Sequence, residues 1–195
     1  MTRFFDLLFS FLGLILLFPV FLVIALIIIA GSGGGAFFFQ SRVGKNNRDF
    51  RLIKFRTMKT GSEKKGSLTV GSADSRITNA GLFLRKYKLD ELPQLINVLK
   101  GDMSLVGPRP EVRKYVQLYS PEQLQVLEVR PGITDYASLE YFNENEILAQ
   151  SSDPEKTYIS EIMPAKLELN RKYLENPGMR NYFSILGKTI QRIFA

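Results

Sequence analysis

The 195-residue sequence predicts a mostly helical α/β fold with a few short strands, held against a lipid bilayer by an apolar N-terminal segment. Three observations lead there. Leu7 to Ser41 contains no charged side chain. Residues 40–89 carry 13 Lys/Arg against three acidic residues, for a local charge of +10, although the whole chain is only +7. Beyond residue 77, Asp or Ser caps with Pro and Gly punctuation mark a series of short helices. The length supports about one domain with its own core, divided here as a membrane segment with its exit loop, residues 1–36, and a membrane-associated domain, residues 37–195.

Leu7 to Ala30 is apolar apart from Ser10, Gly13 and Pro19. As a helix it measures about 36 Å, enough to cross a hydrocarbon core of roughly 30 Å, and it is too long for an ordinary signal-peptide core. Pro19 divides it into halves of about 17 Å each. A missing amide donor favours a bend there, so the residues alone allow a kinked span or a segment that turns back. Arg42, Lys45, Arg48, Arg51, Lys54 and Arg56 crowd the C-terminal flank while only Arg3 precedes the segment, which places the remainder in the cytoplasm.

After the Gly31–Gly35 exit, residues 37–43 and 49–56 read as two short strands joined by a turn at Gly44–Asn47. Residues 60–75 are small, polar and glycine-punctuated, which predicts a loop. Residues 77–88 look helical. Asp90 stands at an N-cap position, with Pro93 in the first turn and Gly101 past the end, predicting a helix over about 91–100. Ser120-Pro121-Glu122-Gln123 combines a cap, an N1 proline and a capping-box glutamine, so another helix starts there. Pro164–Asn176 is a third. The last segment spaces Phe183, Leu186, Ile190 and Ile193 as a basic amphipathic helix suited to the domain surface or the membrane interface.

The chain has neither Cys nor His. That excludes thiolate nucleophiles, disulfides, Cys/His zinc sites and imidazole bases, and leaves chemistry to carboxylates, lysines, arginines and hydroxyls. A metal would be a hard ion such as Mg²⁺, held by oxygen. The most suggestive cluster is Lys88-Leu89-Asp90-Glu91-Leu92-Pro93, with Arg85 before it and Gly107-Pro108-Arg109-Pro110 after it. An ionised Asp attacks phosphorus once the phosphate charge is offset, and Arg85, Lys88 and Arg109 suit a phosphate. The plainer reading is that Asp90 caps its helix and Glu91 favours the dipole. Lys54 and Arg56 end a basic strand, and Arg130 stands on a second stiff Arg-Pro-Gly turn.

In order along the chain, FFFQSRVG at 37–44, FRLIKFRTM at 50–58, LRKYKLDELPQLINVLKGDMSLVGPRP at 84–110 and VRPGIT at 129–134 follow an apolar segment interrupted at Phe18-Pro19. This series resembles the bacterial sugar transferase family, the monotopic phosphoglycosyl transferases. The resemblance implies transfer of a phosphosugar from a UDP-sugar to polyprenol phosphate, with release of UMP, as the first membrane step of glycan assembly. It implies Asp90 as the nucleophile that carries the phosphosugar, Glu91 as its partner, and Mg²⁺ at Asp90 and Glu91. It also implies substrate contacts from Lys54, Arg56, Arg85, Arg109 and Arg130. For the membrane segment it implies a re-entrant helix-break-helix at Pro19, in the bacterial cytoplasmic membrane, with the catalytic domain facing the cytoplasm. Membrane lipid is then a partner and nucleic acid is not. Two positions depart from the common family pattern: Phe18 stands where Ser often precedes the proline, and Asp135 stands where Gly is frequent. The rival reading is a non-catalytic membrane-anchored adaptor whose basic block binds anionic lipid or nucleic acid.

Overall fold

The computed structural model describes residues 1–62, 70–71 and 74–194. It is mostly helical with two small sheets. Helix α1 (Thr2–Ser32) is continuous, with Pro19 inside it, and ends at Gly33 in the left-handed conformation. The break expected at Pro19 is therefore not an interruption of the helix. Proline forfeits its own amide hydrogen bond while the neighbouring turns stay paired, and apolar helices tolerate this. Over Thr2–Gly31 the helix is long and apolar enough to cross a membrane.

The helix does not stand away from the rest of the chain. Near its start the Arg3 guanidinium donates to the carbonyls of Val98 (2.8 Å) and Met103 (3.2 Å). Asp6, 2% exposed, accepts from the Ser104 hydroxyl (2.9 Å), the Leu105 amide (2.9 Å) and the Tyr182 hydroxyl (2.8 Å). Near its end Ile24 and Ile28 are buried with Phe55 and Leu84. Leu12, Ile15, Leu16, Phe18 and Leu26 form an exposed apolar face.

Strands β1 (Phe37–Val43) and β2 (Asp49–Phe55) pair antiparallel, Phe37 opposite Phe55 and Val43 opposite Asp49. Helices α2 (Asn79–Lys86) and α3 (Gln94–Lys100) follow, separated by a 3₁₀ turn, Leu89–Glu91. Asn97 joins α3 to the hairpin: its side chain accepts from the Ile53 amide (3.0 Å) and donates to the Arg51 carbonyl (2.8 Å). With both β2 groups satisfied by one fully buried amide, the strand edge needs no third strand.

The second sheet is a parallel pair, β3 (Ser104–Val106) and β4 (Gly132–Thr134). Here the backbones almost touch. A Cβ on Gly132 would lie 2.1 Å from the Gly107 amide nitrogen, and one on Gly107 would lie 2.6 Å from the Arg130 carbonyl oxygen. This close approach brings the GPRP turn beside the RPG turn.

Short helices α4 (Arg113–Val116), α5 (Tyr136–Glu140), α6 (Glu144–Ala149) and α7 (Pro154–Thr157) lead to α8 (Met163–Glu175) and α9 (Met179–Phe194). The helix expected after Ser120 is a 3₁₀ segment, Gln123–Glu128. Its capping box is present all the same: Gln123 N donates to Ser120 Oγ (3.3 Å) while Gln123 Oε1 accepts from the Ser120 amide (2.9 Å). One core unites Leu52, Val98, Met103, Leu105, Val106, Tyr173, Tyr182 and Ile185, and a second gathers around Tyr115, Leu148, Tyr158 and Leu167. Most of the 60–75 loop expectation falls outside the described residues.

Candidate active site

The tightest local geometry surrounds Asp90. Lys88 adopts a left-handed conformation, φ 55°, and starts the 3₁₀ turn that carries Asp90 and Glu91. Because α3 begins only at Gln94 with Pro93 at its cap position, Asp90 does not cap it, contrary to the sequence expectation. The turn instead buries both carboxylates, leaving Asp90 7% and Glu91 9% exposed.

The two acids are treated differently. Glu91 Oε1 accepts from Lys54 Nζ at 2.9 Å and also from the Arg109 guanidinium, which reaches Oε2 at 3.1 Å. Burial alone would raise the Glu91 pKa, but the Arg109 and Lys54 charges outweigh it and hold the group well below the usual carboxylate range. Asp90 Oδ1 is buried without a hydrogen-bond partner among the described residues. Burial first, then the neighbouring Glu91 charge, pushes the Asp90 pKa up, against the pull of Lys54, Arg85 and Lys88.

The acids lie at the edge of a cavity of about 510 Å³. Of the residues expected at the site, Asp90, Glu91, Lys54, Arg85 and Arg109 all line it. Arg85 donates through Nε to the Thr57 hydroxyl (2.9 Å) and has no carboxylate partner among the described residues. Lys88 also lines the cavity, its Nζ 4.8 Å from the centre of the Phe142 ring. Burial lowers the pKa of Arg85 and of Lys88.

Arg56 and Arg130 do not join them. Strand β2 ends at Phe55, so Arg56 leaves the sheet and reaches Thr60 at 3.5 Å beside Gly34. Arg130 Nε donates to the Gly101 carbonyl (2.9 Å) at the end of α3 and serves as a brace there. Pro19 lies in α1, outside the cavity lining.

Other residues at or behind the cavity were not among those expected at the site. Asp135 is fully buried. One oxygen caps α5 by accepting from Ser138 N (2.6 Å), and the other accepts from the Arg109 amide (3.0 Å), which fixes the turn that carries Arg109. Glu111 pairs with Arg42 at 3.0 Å and accepts from the Tyr158 hydroxyl. Phe142, Ser138 and Arg192 also line the cavity, and Ser138 Oγ is buried without a partner among the described residues. Asp135 had a sequence signal as the residue standing where Gly is frequent. Phe142 had none.

The donor set bears on the expected Mg²⁺. Among the described residues no group of three or more acidic side chains could hold a metal. Both Glu91 oxygens are engaged by cations, so Asp90 Oδ1 is the free carboxylate oxygen at the centre. This fits a Mg²⁺ bound largely through substrate phosphates with a single carboxylate, a common arrangement for that ion, and does not fit an all-protein cage.

Comparison with known proteins accords with the geometry. The model of a family described as bacterial sugar transferase matches residues 1–195. The chain is 38% identical over 191 residues to the UDP-N-acetylgalactosamine-undecaprenyl-phosphate N-acetylgalactosaminephosphotransferase of Aeromonas hydrophila, covering 96% of this chain and 42% of that protein. It is 40% identical over 124 residues to the UDP-glucose:undecaprenyl-phosphate glucose-1-phosphate transferase of Caulobacter vibrioides, covering 62% and 46% respectively. With the undecaprenyl-phosphate glucose phosphotransferase of Komagataeibacter xylinus it shares 42% identity over 144 residues, 70% of this chain and 27% of that one. The chain thus spans about half or less of the length of these relatives. With its entire length matched by the family model, the chain belongs to the bacterial sugar transferase family.

Proposed function

We propose that this chain is a phosphosugar transferase that moves a sugar phosphate from a UDP-sugar to polyprenol phosphate through a covalent acyl-phosphate link to Asp90. The observation that carries the reading is Asp90 Oδ1: a buried carboxylate oxygen without a partner, on the wall of a cavity whose Arg85 and Lys88 lack carboxylate partners among the described residues. Its neighbour Glu91 is saturated by Lys54 and Arg109. Glu91 therefore acts as a fixed counter-charge that keeps those two cations in place, and Asp90 is left to react.

The chemistry balances without an imidazole. An Asp90 oxygen attacks the sugar-bearing phosphorus, the bond from that phosphorus to the bridging oxygen breaks, and UMP leaves with that oxygen. A phosphate oxygen of polyprenol phosphate then attacks the same phosphorus, and the Asp90 carboxylate is regenerated. The acceptor is already anionic, so no general base is needed. A carboxylate with a raised pKa is the stronger nucleophile once ionised. Arg85 and Arg109 hold and orient the diphosphate. Mg²⁺, when bound, offsets the diphosphate charge, with Asp90 as the protein group to hold it.

The membrane segment is part of the proposal. Both ends of α1 pack on the same domain, Arg3 and Asp6 at one end and Ile24 and Ile28 at the other. A helix leaving that domain to cross the bilayer would carry one end away, so this packing supports a segment that stays on one side of the membrane, bent at Pro19 without a break in the helix, and the basic flank that follows it favours the cytoplasmic face. The adaptor reading loses ground because Arg42, Lys54 and Arg76 of the basic block are in internal ion pairs. The test is UMP release from a panel of UDP-sugars by membrane-reconstituted protein, with and without Mg²⁺ and undecaprenyl phosphate. Intact-mass detection of a phosphosugar adduct supports the reading. Turnover with no adduct under acceptor-free conditions refutes the covalent route.

A further inference from the structure

Helix α9 faces three environments. Tyr182 and Ile185 are in the core, and Phe183 packs edge-on against Phe5 of α1 at 5.2 Å between ring centres. Leu186, Ile190 and Ile193 line the cavity that holds Asp90. An apolar row thus leads from the membrane helix into the reaction cavity. Between Ile190 and Ile193 the same helix supplies Arg192, which also lines the cavity.

Arg192 has no carboxylate partner among the described residues. Its guanidinium lies 5.2 Å from the Phe142 ring centre, the same ring that Lys88 Nζ approaches at 4.8 Å. Each such contact is weak beside a charge-assisted hydrogen bond. A phosphate, which accepts two or more charge-assisted hydrogen bonds, would draw both cations away from the ring.

Resting on the transferase reading above, we propose that α9 forms the acceptor side of the cavity: Arg192 and Lys88 bind the phosphate of the prenyl phosphate, and Leu186, Ile190 and Ile193 guide its chain in from the bilayer. A nucleotide sugar offers no long hydrocarbon chain for that row to cover. A prenyl chain ending in phosphate matches an apolar row ending beside two cations.

The experiment uses the full chain in nanodiscs with the UDP-sugar that wild type turns over, and compares Arg192→Gln, Arg192→Lys, Ile190→Asn and the exposed same-helix control Lys188→Gln. Arg192→Gln is expected to raise the KM for undecaprenyl phosphate about tenfold, while the single burst of UMP released without acceptor stays within twofold of wild type. Arg192→Lys recovers part of the loss. Ile190→Asn raises the KM for undecaprenyl phosphate more than that for a short, water-soluble prenyl phosphate. Lys188→Gln changes neither parameter. Loss of the acceptor-free burst in Arg192→Gln would assign Arg192 to the donor and overturn the proposal. A changed affinity for phosphatidylglycerol vesicles with an unchanged acceptor KM would assign it to membrane headgroups and overturn it as well. A wild type that releases no UMP from any UDP-sugar would instead sink the transferase reading, and this one with it.

Discussion

Asp90 and Glu91 are consecutive in the chain, yet Glu91 is gripped by Lys54 and Arg109 while Asp90 Oδ1 has no hydrogen-bond partner among the described residues. The 3₁₀ turn makes this possible, since adjacent side chains on a tight turn diverge and only one can reach the two cations. The unpartnered acid carries a stability cost, the usual signature of a group retained for reaction.

Asp90→Asn separates the two roles. The amide keeps the shape of the side chain and removes a buried charge whose ionisation is disfavoured by burial and by Glu91. A folded-state pKa raised above the unfolded value means that ionised Asp90 weakens the fold as pH rises through that pKa, and the penalty is complete once the pH has passed it. The expected result is no acceptor-free UMP burst and no adduct, with a thermal midpoint at pH 7 about 2–4 °C above wild type. Differential scanning fluorimetry in detergent measures the second; a lower midpoint contradicts this account.

The pH profile follows from the same shift. Attack needs ionised Asp90, so the acid limb of the single-turnover rate should lie above the ordinary aspartate value of about 3.9. Any residual rate in Glu91→Gln should have its limb moved to lower pH, because one of the two causes that raise the Asp90 pKa has been removed. A wild-type limb at or below pH 4 would show that the cations dominate instead.

Glu91→Gln is expected to damage the fold as well as activity. The ionised form is favoured in the folded state, so its contribution is present above the unfolded value of about 4.3 and is lost as pH falls through the depressed folded value. Without it, Lys54 and Arg109 lose their shared anion, at a cost on the order of 3 kcal/mol. Urea unfolding at pH 7 should show a clearly lower midpoint. The double variant Glu91→Gln, Lys54→Met should recover part of it, since one stranded cation is then gone.

Local signals in the sequence read well. Both hairpin strands fall within a residue of their expected ends, and Ser120 and Gln123 form the capping box their spacing predicts. Asp90, Glu91, Lys54, Arg85 and Arg109, each picked out in a distinctive segment of the sequence, meet at one cavity. What failed depended on tertiary geometry. Lys54 and Arg56 are two apart and would share a strand face, but β2 stops at Phe55 and the equivalence ends there. Arg109 and Arg130 both flank prolines; the parallel β3–β4 pairing sends one to Glu91 and the other to the Gly101 carbonyl. Phe142 meets Arg192 across fifty residues, and no local pattern encodes that.

The glycines of the two motifs give the last prediction. Gly132 has no positive φ, so its requirement is space. A Cβ there would stand 2.1 Å from the Gly107 nitrogen and 2.4 Å from the Gly107 oxygen, backbone atoms that cannot rotate aside. Gly132→Ala must therefore part β3 from β4, weakening the Gly107 N to Thr134 O bond (3.0 Å) and shifting the turn that Asp135 ties to Arg109. The expected cost is about 3–4 kcal/mol, a fall of roughly 10 °C in thermal midpoint, with activity lost although no cavity side chain has changed. Gly187→Ala is the matched contrast. That glycine sits in α9 with nothing within 4 Å of its added methyl, so alanine should leave activity intact and stabilise by about 0.5–1 kcal/mol. If thermal melts show the two substitutions to be equally mild, the close approach of the GPRP and RPG turns is not what holds Arg109 in place.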